Sequence, residues 1–358
     1  MADKEPIQLE ALLQEIAQEQ PDFRYDEAAI KAEVAHSTSL LKRWPVKLLT
    51  ILGGLLAMGL LLGFLFSAGL YNSGIGLLLF GAGFLIGAEV LIRFEKTFSA
   101  EAVGVSLNIA GYVLLAIGVG QLTDSGTSVA LLLGIAALLV LIFSESGIYV
   151  FLSVLVLNGS LLSLIFIHKV YNLSHVLVVV LVGVLTFISL YEAKLLALSR
   201  RFTLVFGPVR MGLIFSLIIT LGLFVHQKFL STNITHFWLS GLFLIGCLLL
   251  LLHRVLLESG VEDRKTLAIF YTCCAVVLLP TVLAPSVPGA LLVVLSSFYI
   301  GHRTGLWVGL LALAYFLVLY YYDLNMTLLA KSGVLVLTGT LFLGGLDLLN
   351  RYLRSHEA

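Results

Sequence analysis

Charge is scarce in this chain. Of its 358 residues only 12% are Asp, Glu, Lys or Arg, and 21 cations balance 21 anions to a formal net charge of zero. Soluble domains carry about 25% charged residues. A chain this poor in charge, 59% hydrophobic and with a mean hydropathy of +1.06, has no water-soluble core large enough to hide its apolar surface; it needs lipid as a solvent. The balanced charge excludes a global basic field for nucleic acid. Cysteine is nearly absent: Cys247, Cys273 and Cys274 are all there is. Adjacent cysteines in an apolar run are poor disulfide partners. No CxxC or Cys/His ligand spacing occurs, and no HExxH pairing links His226, His253 and His302. Gly-x-Ser-x-Gly is missing as well. The expectation is a protein that is not an enzyme and uses no metal or cofactor. Proline is sparse, and Pro208, Pro280, Pro285 and Pro288 mark kinks or span ends.

What is present is hydrocarbon. Residues 1–44 read as a cytoplasmic head, in which Leu9, Leu12, Leu13 and Ile16 fall on one face of a helix and Ile30, Val34 and Leu41 on another. Two such helices are too small for a core of their own and pack on each other, the membrane face or a partner. The first apolar run starts only past residue 45, after acidic as well as basic residues, which does not fit a cleavable signal; the first span is expected to be retained. Trp44 and Pro45 mark the water–lipid boundary.

Residues 45–358 read as a transmembrane bundle of about twelve helices, at 47–70, 74–92, 102–122, 128–143, 148–167, 175–191, 205–226, 237–257, 267–284, 289–300, 305–322 and 332–352. A span needs about 20 residues. The segment 128–143 is short, and 289–300 is too short as drawn, so it borrows residues from its flanks or forms a re-entrant arm. With the amino terminus in the cytoplasm, fifteen basic residues fall on cytoplasmic flanks, among them Arg93, Lys194, Arg210, Arg254, Arg303 and Arg351, and only Lys169, Lys228 and Lys331 outside. That is the positive-inside pattern, with both termini cytoplasmic. Short links such as 71–73 and 144–147 force sequential helices to be antiparallel neighbours.

Few residues carry candidate chemistry. Glu89 follows Gly83 and Gly87, a small-xxx-small face that lets another helix approach. An intramembrane carboxylate is a candidate proton or cation site, but Arg93 lies four residues on and can pair with it. Asn108 and Asn158, in mid-span, fit interhelical hydrogen bonding or a polar solute path. Asp347 repeats the arrangement with Arg351 as an inner ion pair. Tyr322, Asp323 and Lys331 flank a short outer turn and form either a clasp for the last hairpin or an outward recognition patch. Asp323 and Asp347 lie roughly 22 Å apart in depth, too far to share a proton as an intramembrane aspartyl protease requires.

The two ends of the chain carry a further signal: Leu12-Leu13-x-x-Ile16 and Trp44 at the head, then Gly301-His302-Arg303, Tyr320-Tyr321-Tyr322-Asp323-Leu324, Lys331-Ser332 and a last span containing Gly339. This pattern resembles the DUF4401 family of bacterial multi-pass membrane proteins over essentially the whole length. The resemblance implies a bacterial inner-membrane protein and partnership with other membrane proteins, and it brings no established activity. The reading is therefore an all-α polytopic protein in a lipid bilayer, a non-enzymatic component of a membrane complex. The alternative is a small-solute or lipid transporter built on Glu89, Asn108 and Asn158.

Overall fold

The computed structural model describes residues 44–94, 98–198, 200–227, 229–258 and 278–323, with a few single positions between 271 and 340. The chain divides into two compact units, residues 1–62 and 63–358. Of the first, the described part is helical backbone starting at Trp44.

All described regular structure is helical: α1 (Trp44–Ser67), α2 (Gly74–Phe94), α3 (Phe98–Thr123), α4 (Gly126–Phe143), α5 (Gly147–Ile167), α6 (Leu173–Leu190), the short α7 (Glu192–Leu198), α8 (Arg200–Val225), α9 (Trp238–Glu258), α10 (Ser286–Tyr299) and α11 (Arg303–Asp323). Short 3-10 turns occupy Leu70–Asn72 and Leu279–Leu283. Among the described residues eight helices are long and apolar enough to cross a membrane: α2 to α6, α8, α9 and α11. They correspond to the second to eighth and the eleventh of the twelve expected spans. The expected short fourth span is an 18-residue helix, Gly126–Phe143. It starts two residues earlier than drawn because the Ser125 hydroxyl accepts from the Ser128 amide and caps it. The ninth and twelfth segments lie mostly outside the described residues, as does the head.

The tenth segment is a 14-residue helix, α10, about 21 Å long at helical rise. Pro285 precedes it and Gly301 follows it. It lies in the middle of the bundle rather than at its edge. Val287, Ala290, Leu292, Val293, Ser296 and Ser297 are all buried. It packs on α11, α9, α8 and α6, and Leu292 joins a core with Leu185, Ile214, Leu217, Leu221, Leu244, Leu251 and Phe316. In lipid such a core gains nothing from hiding carbon from water; close packing and buried hydrogen bonds hold it.

The first hairpin shows how. On α2 and α3, Gly74, Gly81 and Ala88 stand opposite Gly118, Gly111 and Gly104. A Cβ on Gly74 would come 3.2 Å from the Gly118 carbonyl oxygen, and one on Gly104 3.7 Å from that of Ala88. A seven-residue repeat of small side chains on both helices keeps one seam in register along a slightly supercoiled pair. The glycines singled out from the sequence, Gly83 and Gly87, are not in this seam. Among the described residues no heavy atom lies within 4 Å of a Cβ built on either. The α2–α3 pair uses the spacing of seven, and the spacing of four marks a different face of α2.

Candidate functional site

Exposed Arg93, Lys194, Arg254 and Arg303 stand at helix ends on one side, the basic face. On that side Glu89 and Arg93 do form a pair, with Arg93 Nε donating to Glu89 Oε1 at 3.1 Å. Arg93 Nη2 also donates to the carbonyl of Phe143, the last residue of α4, at 2.9 Å. A cation at a helix C-terminus satisfies a carbonyl that has no partner within its own helix. Glu89 thus orients an arginine that ties α2 to the end of α4. Next to it the buried Tyr149 hydroxyl of α5 donates to the Ala88 carbonyl at 3.2 Å and occupies the space that a side chain on Gly104 would need. The site is a three-helix tie.

Asn158 is 4% exposed. Its Nδ2 donates to the Ser216 carbonyl and to Thr220 Oγ1, both at 3.4 Å, bridging α5 to α8. Asn108 is 1% exposed, and its Oδ1 has no hydrogen-bond partner. No hydrogen bond joins Glu89, Asn108 and Asn158 to one another. Tyr322 is exposed at the end of α11, with its ring 5.9 Å from that of Tyr321. Asp323 closes α11; its side chain, Lys331, Asp347 and Arg351 lie outside the described residues, and with them the outer clasp and the inner ion pair. Among the described residues no three His, Cys, Asp or Glu side chains group as metal ligands.

Two polar clusters escaped the sequence reading. On the side opposite the basic face, His175 of α6 is buried. Its Nε2 donates to the Thr235 carbonyl at 2.6 Å, which leaves Nδ1 to accept from Ser240 Oγ at 3.0 Å. Phe224 and Phe237 hold the ring, with centroids 5.0 and 6.0 Å away. Asn172 Oδ1 accepts from the Thr235 amide at 3.0 Å. This knot pins the loop before α9 to the start of α6. Beside it lies a cavity of about 190 Å³ lined by Phe224, Gln227, Phe237, Pro285, Ser286 and Tyr320.

The second cluster is where α10 stops. Arg210 had been counted with the flanking cations; in the structure it lies within α8, 6% exposed. A tally of charges near predicted span ends does not tell a loop arginine from one a few turns into a helix. Its Nη1 is 3.5 Å from Glu192 Oε1 on α7, and its guanidinium sits 5.5 Å from the centroid of Phe206. Gly301 (φ +71°) ends α10 in the left-handed conformation. The Gly301 amide donates to Phe298 O at 3.0 Å and the His302 amide to Ser297 O at 2.8 Å, a Schellman end that glycine permits. His302 then caps α11, its Nδ1 accepting from the Gly305 amide at 2.9 Å. Burial, and then the nearby Arg210 charge, lower the His302 pKa below its ordinary value. The Gly301-His302-Arg303 triplet read from the sequence is thus a helix-to-helix joint.

The other histidines near span ends are tied to tyrosines, His226 to Tyr315 and His253 to Tyr271, each at 2.6 Å.

The eight apolar helices and their side-chain ties define an all-helical integral membrane protein. The family model described as Domain of unknown function (DUF4401) matches residues 43–352, and the chain belongs to that family. No curated protein and no solved structure matches it.

Proposed function

We propose that the chain is a non-enzymatic component of a membrane-protein complex, docked to its partners through helices in the lipid and through the head at 1–44. The observation that carries this reading is the Gly83–Gly87 face of α2. Among the described residues nothing covers it over a full turn, and small residues at that spacing let a second helix approach to backbone contact. Glu89 and Arg93 are meanwhile paired with each other, and Arg93 and the Tyr149 hydroxyl are bonded to backbone carbonyls. In this reading the basic face is cytoplasmic, the membrane is the bacterial inner membrane, and twelve crossings bring both termini to the cytoplasm. Support for the count comes from α10. Gly289 lies against Leu221, Gly309 against Val293, and Gly305 against Ser297 and Ile214, so α10 and the start of α11 lie along the second half of α8, from Leu221 to Ile214. The chain also leaves α9 on the basic side and returns at Val282 beside Gly241, the start of α9.

The test is native mass spectrometry of the protein extracted with its own bilayer. A second membrane protein should be retained, and it should be lost on Gly83→Leu with Gly87→Leu while the chain itself stays folded. Retention after both those substitutions and deletion of residues 1–40 refutes the proposal.

A second reading is favoured by one observation, the buried Asn108 Oδ1 with no partner among the described residues: transport of a small solute or lipid past Glu89, Asn108 and Asn158. Flux in proteoliposomes that disappears with Glu89→Gln would support it, and flux equal to that of empty vesicles would end it.

A further inference from the structure

Three hydrogen-bond donors are left over where α10 ends. Arg210 Nε is buried and has no partner. Ser297, 2% exposed, has a hydroxyl with no partner. His302 spends Nδ1 as an acceptor for the Gly305 amide, so its ring proton stands on Nε2 and is free to donate. Ser297 and His302 meet at Gly305, beside α8 and one turn from Arg210. A Cβ on Gly305 would come within 2.6 Å of Ser297 Oγ, 2.8 Å of His302 Nδ1 and 3.3 Å of Ile214 Cδ1, and Ile214 lies one turn beyond Arg210 on α8. The Arg210 charge reaches His302. The start of α11 adds the positive end of a helix. The last carbonyls of α10 would repel an anion, but those of Ser296, Ser297 and Phe298 are turned onto the amides of Ile300, His302 and Gly301.

A buried cation needs a counter-charge. Arg210 has one, and it is loosely held: Glu192 sits on a seven-residue helix, its side chain 28% exposed and its oxygen 3.5 Å away, longer than a good charge-assisted bond of about 2.7–2.9 Å. Exchanging that carboxylate for another oxyanion keeps a counter-charge beside Arg210 and supplies acceptors for the idle donors.

We propose that this cluster of donors binds an oxyanion of the phosphate class, with Arg210, Ser297 and His302 as donors and Glu192 as the carboxylate that fills the place in its absence. The same chemistry is offered by a free phosphate or phosphorylated solute and by the headgroup of an anionic lipid. The inference goes beyond the complex-component reading and does not depend on it.

The experiment uses the full chain in neutral detergent. Inorganic phosphate is titrated against chloride at constant ionic strength and read by thermal unfolding and calorimetry. The expected result is a saturable rise in unfolding temperature with phosphate that chloride does not give. Glu192→Gln, which removes the competing carboxylate, should tighten binding by about tenfold, and Arg210→Gln should weaken it by about tenfold or more. Should Arg210→Gln not fold, Ser297→Ala replaces it, with binding weakened by about three- to tenfold. A parallel arm places the chain in nanodiscs of phosphatidylcholine with or without phosphatidylglycerol. If the lipid headgroup is the occupant, the anionic discs raise the unfolding temperature and abolish the phosphate response; if free phosphate is, the response is equal in both. The proposal is overturned if wild type shows neither a phosphate response nor a difference between discs. It is equally overturned if Glu192→Gln fails to bind phosphate more tightly, or if Arg210→Gln or Ser297→Ala binds as wild type does.

Discussion

Gly81 of α2 and Gly111 of α3 face each other so closely that a Cβ built on either would come 3.0 Å from the other's carbonyl oxygen. Backbone rather than side chain meets there, and backbone does not yield. Gly111→Ala should therefore destabilise the protein by about 1–3 kcal/mol, the usual cost of overpacking. Gly83→Ala, on the open face of the same hairpin, should leave stability unchanged or slightly raised, since alanine is the better helix former. Equilibrium unfolding in mixed micelles measures both, and equal effects would show that the seam has been wrongly placed.

Arg93 makes two contacts and Glu89 one. Glu89→Gln weakens a pair whose arginine is half exposed, for which about 1 kcal/mol or less is expected. Arg93→Ala also strips the Phe143 carbonyl of its donor and should cost about 1 kcal/mol more. The same unfolding assay should rank Arg93→Ala as the more damaging; the reverse order would make Glu89 something other than an orienting group.

Asn158 and Thr220 bridge α5 to α8, and polar ties of this kind in membranes average about 0.6 kcal/mol and stay below about 2. Asn158→Ala and Thr220→Ala should each cost about that much, and the double substitution should cost less than their sum because both remove one interaction. Strict additivity would show that the long 3.4 Å contact contributes nothing.

His302 gives a pH dependence of known sign. Burial and the Arg210 charge lower its pKa in the folded chain, so below about 6.5 the unfolded chain binds more protons than the folded one. Stability should then fall as pH falls, with the His302 contribution complete above about 6.5 and lost progressively down to the depressed folded value. His302→Asn keeps a capping oxygen for α11 and removes the titration. The difference in unfolding temperature between wild type and His302→Asn should shift in favour of the variant as pH drops from about 7 to about 5. A difference that stays flat, or moves the other way, would contradict the burial of a neutral ring.

Helix placement was legible in the sequence to within a few residues for α2 to α6, α8, α9 and α11, because an apolar run between turn residues has one low-energy arrangement in lipid, where each segment must satisfy its own backbone. The pairing of Glu89 with Arg93 was legible too, since four residues make one helical turn. Less visible was the identity of the packed face of α2: glycines at spacings of four and of seven both occur, and a single helix does not reveal which spacing its neighbour uses. The Arg210 cluster was hidden for a related reason. Its members come from α7, α8, the end of α10 and the start of α11, and Glu192 and His302 are more than a hundred positions apart.

From composition and the run of apolar segments alone follow the solvent, the helical class and the alternating direction of the chain, since these depend on how each short stretch meets lipid and water. Tertiary structure decided which glycines touch, why α10 sits at the centre in spite of its length, and that a cation counted on a cytoplasmic flank is a buried one with unspent donors near it. These depend on distances between segments remote in sequence, which only packing brings within hydrogen-bond range.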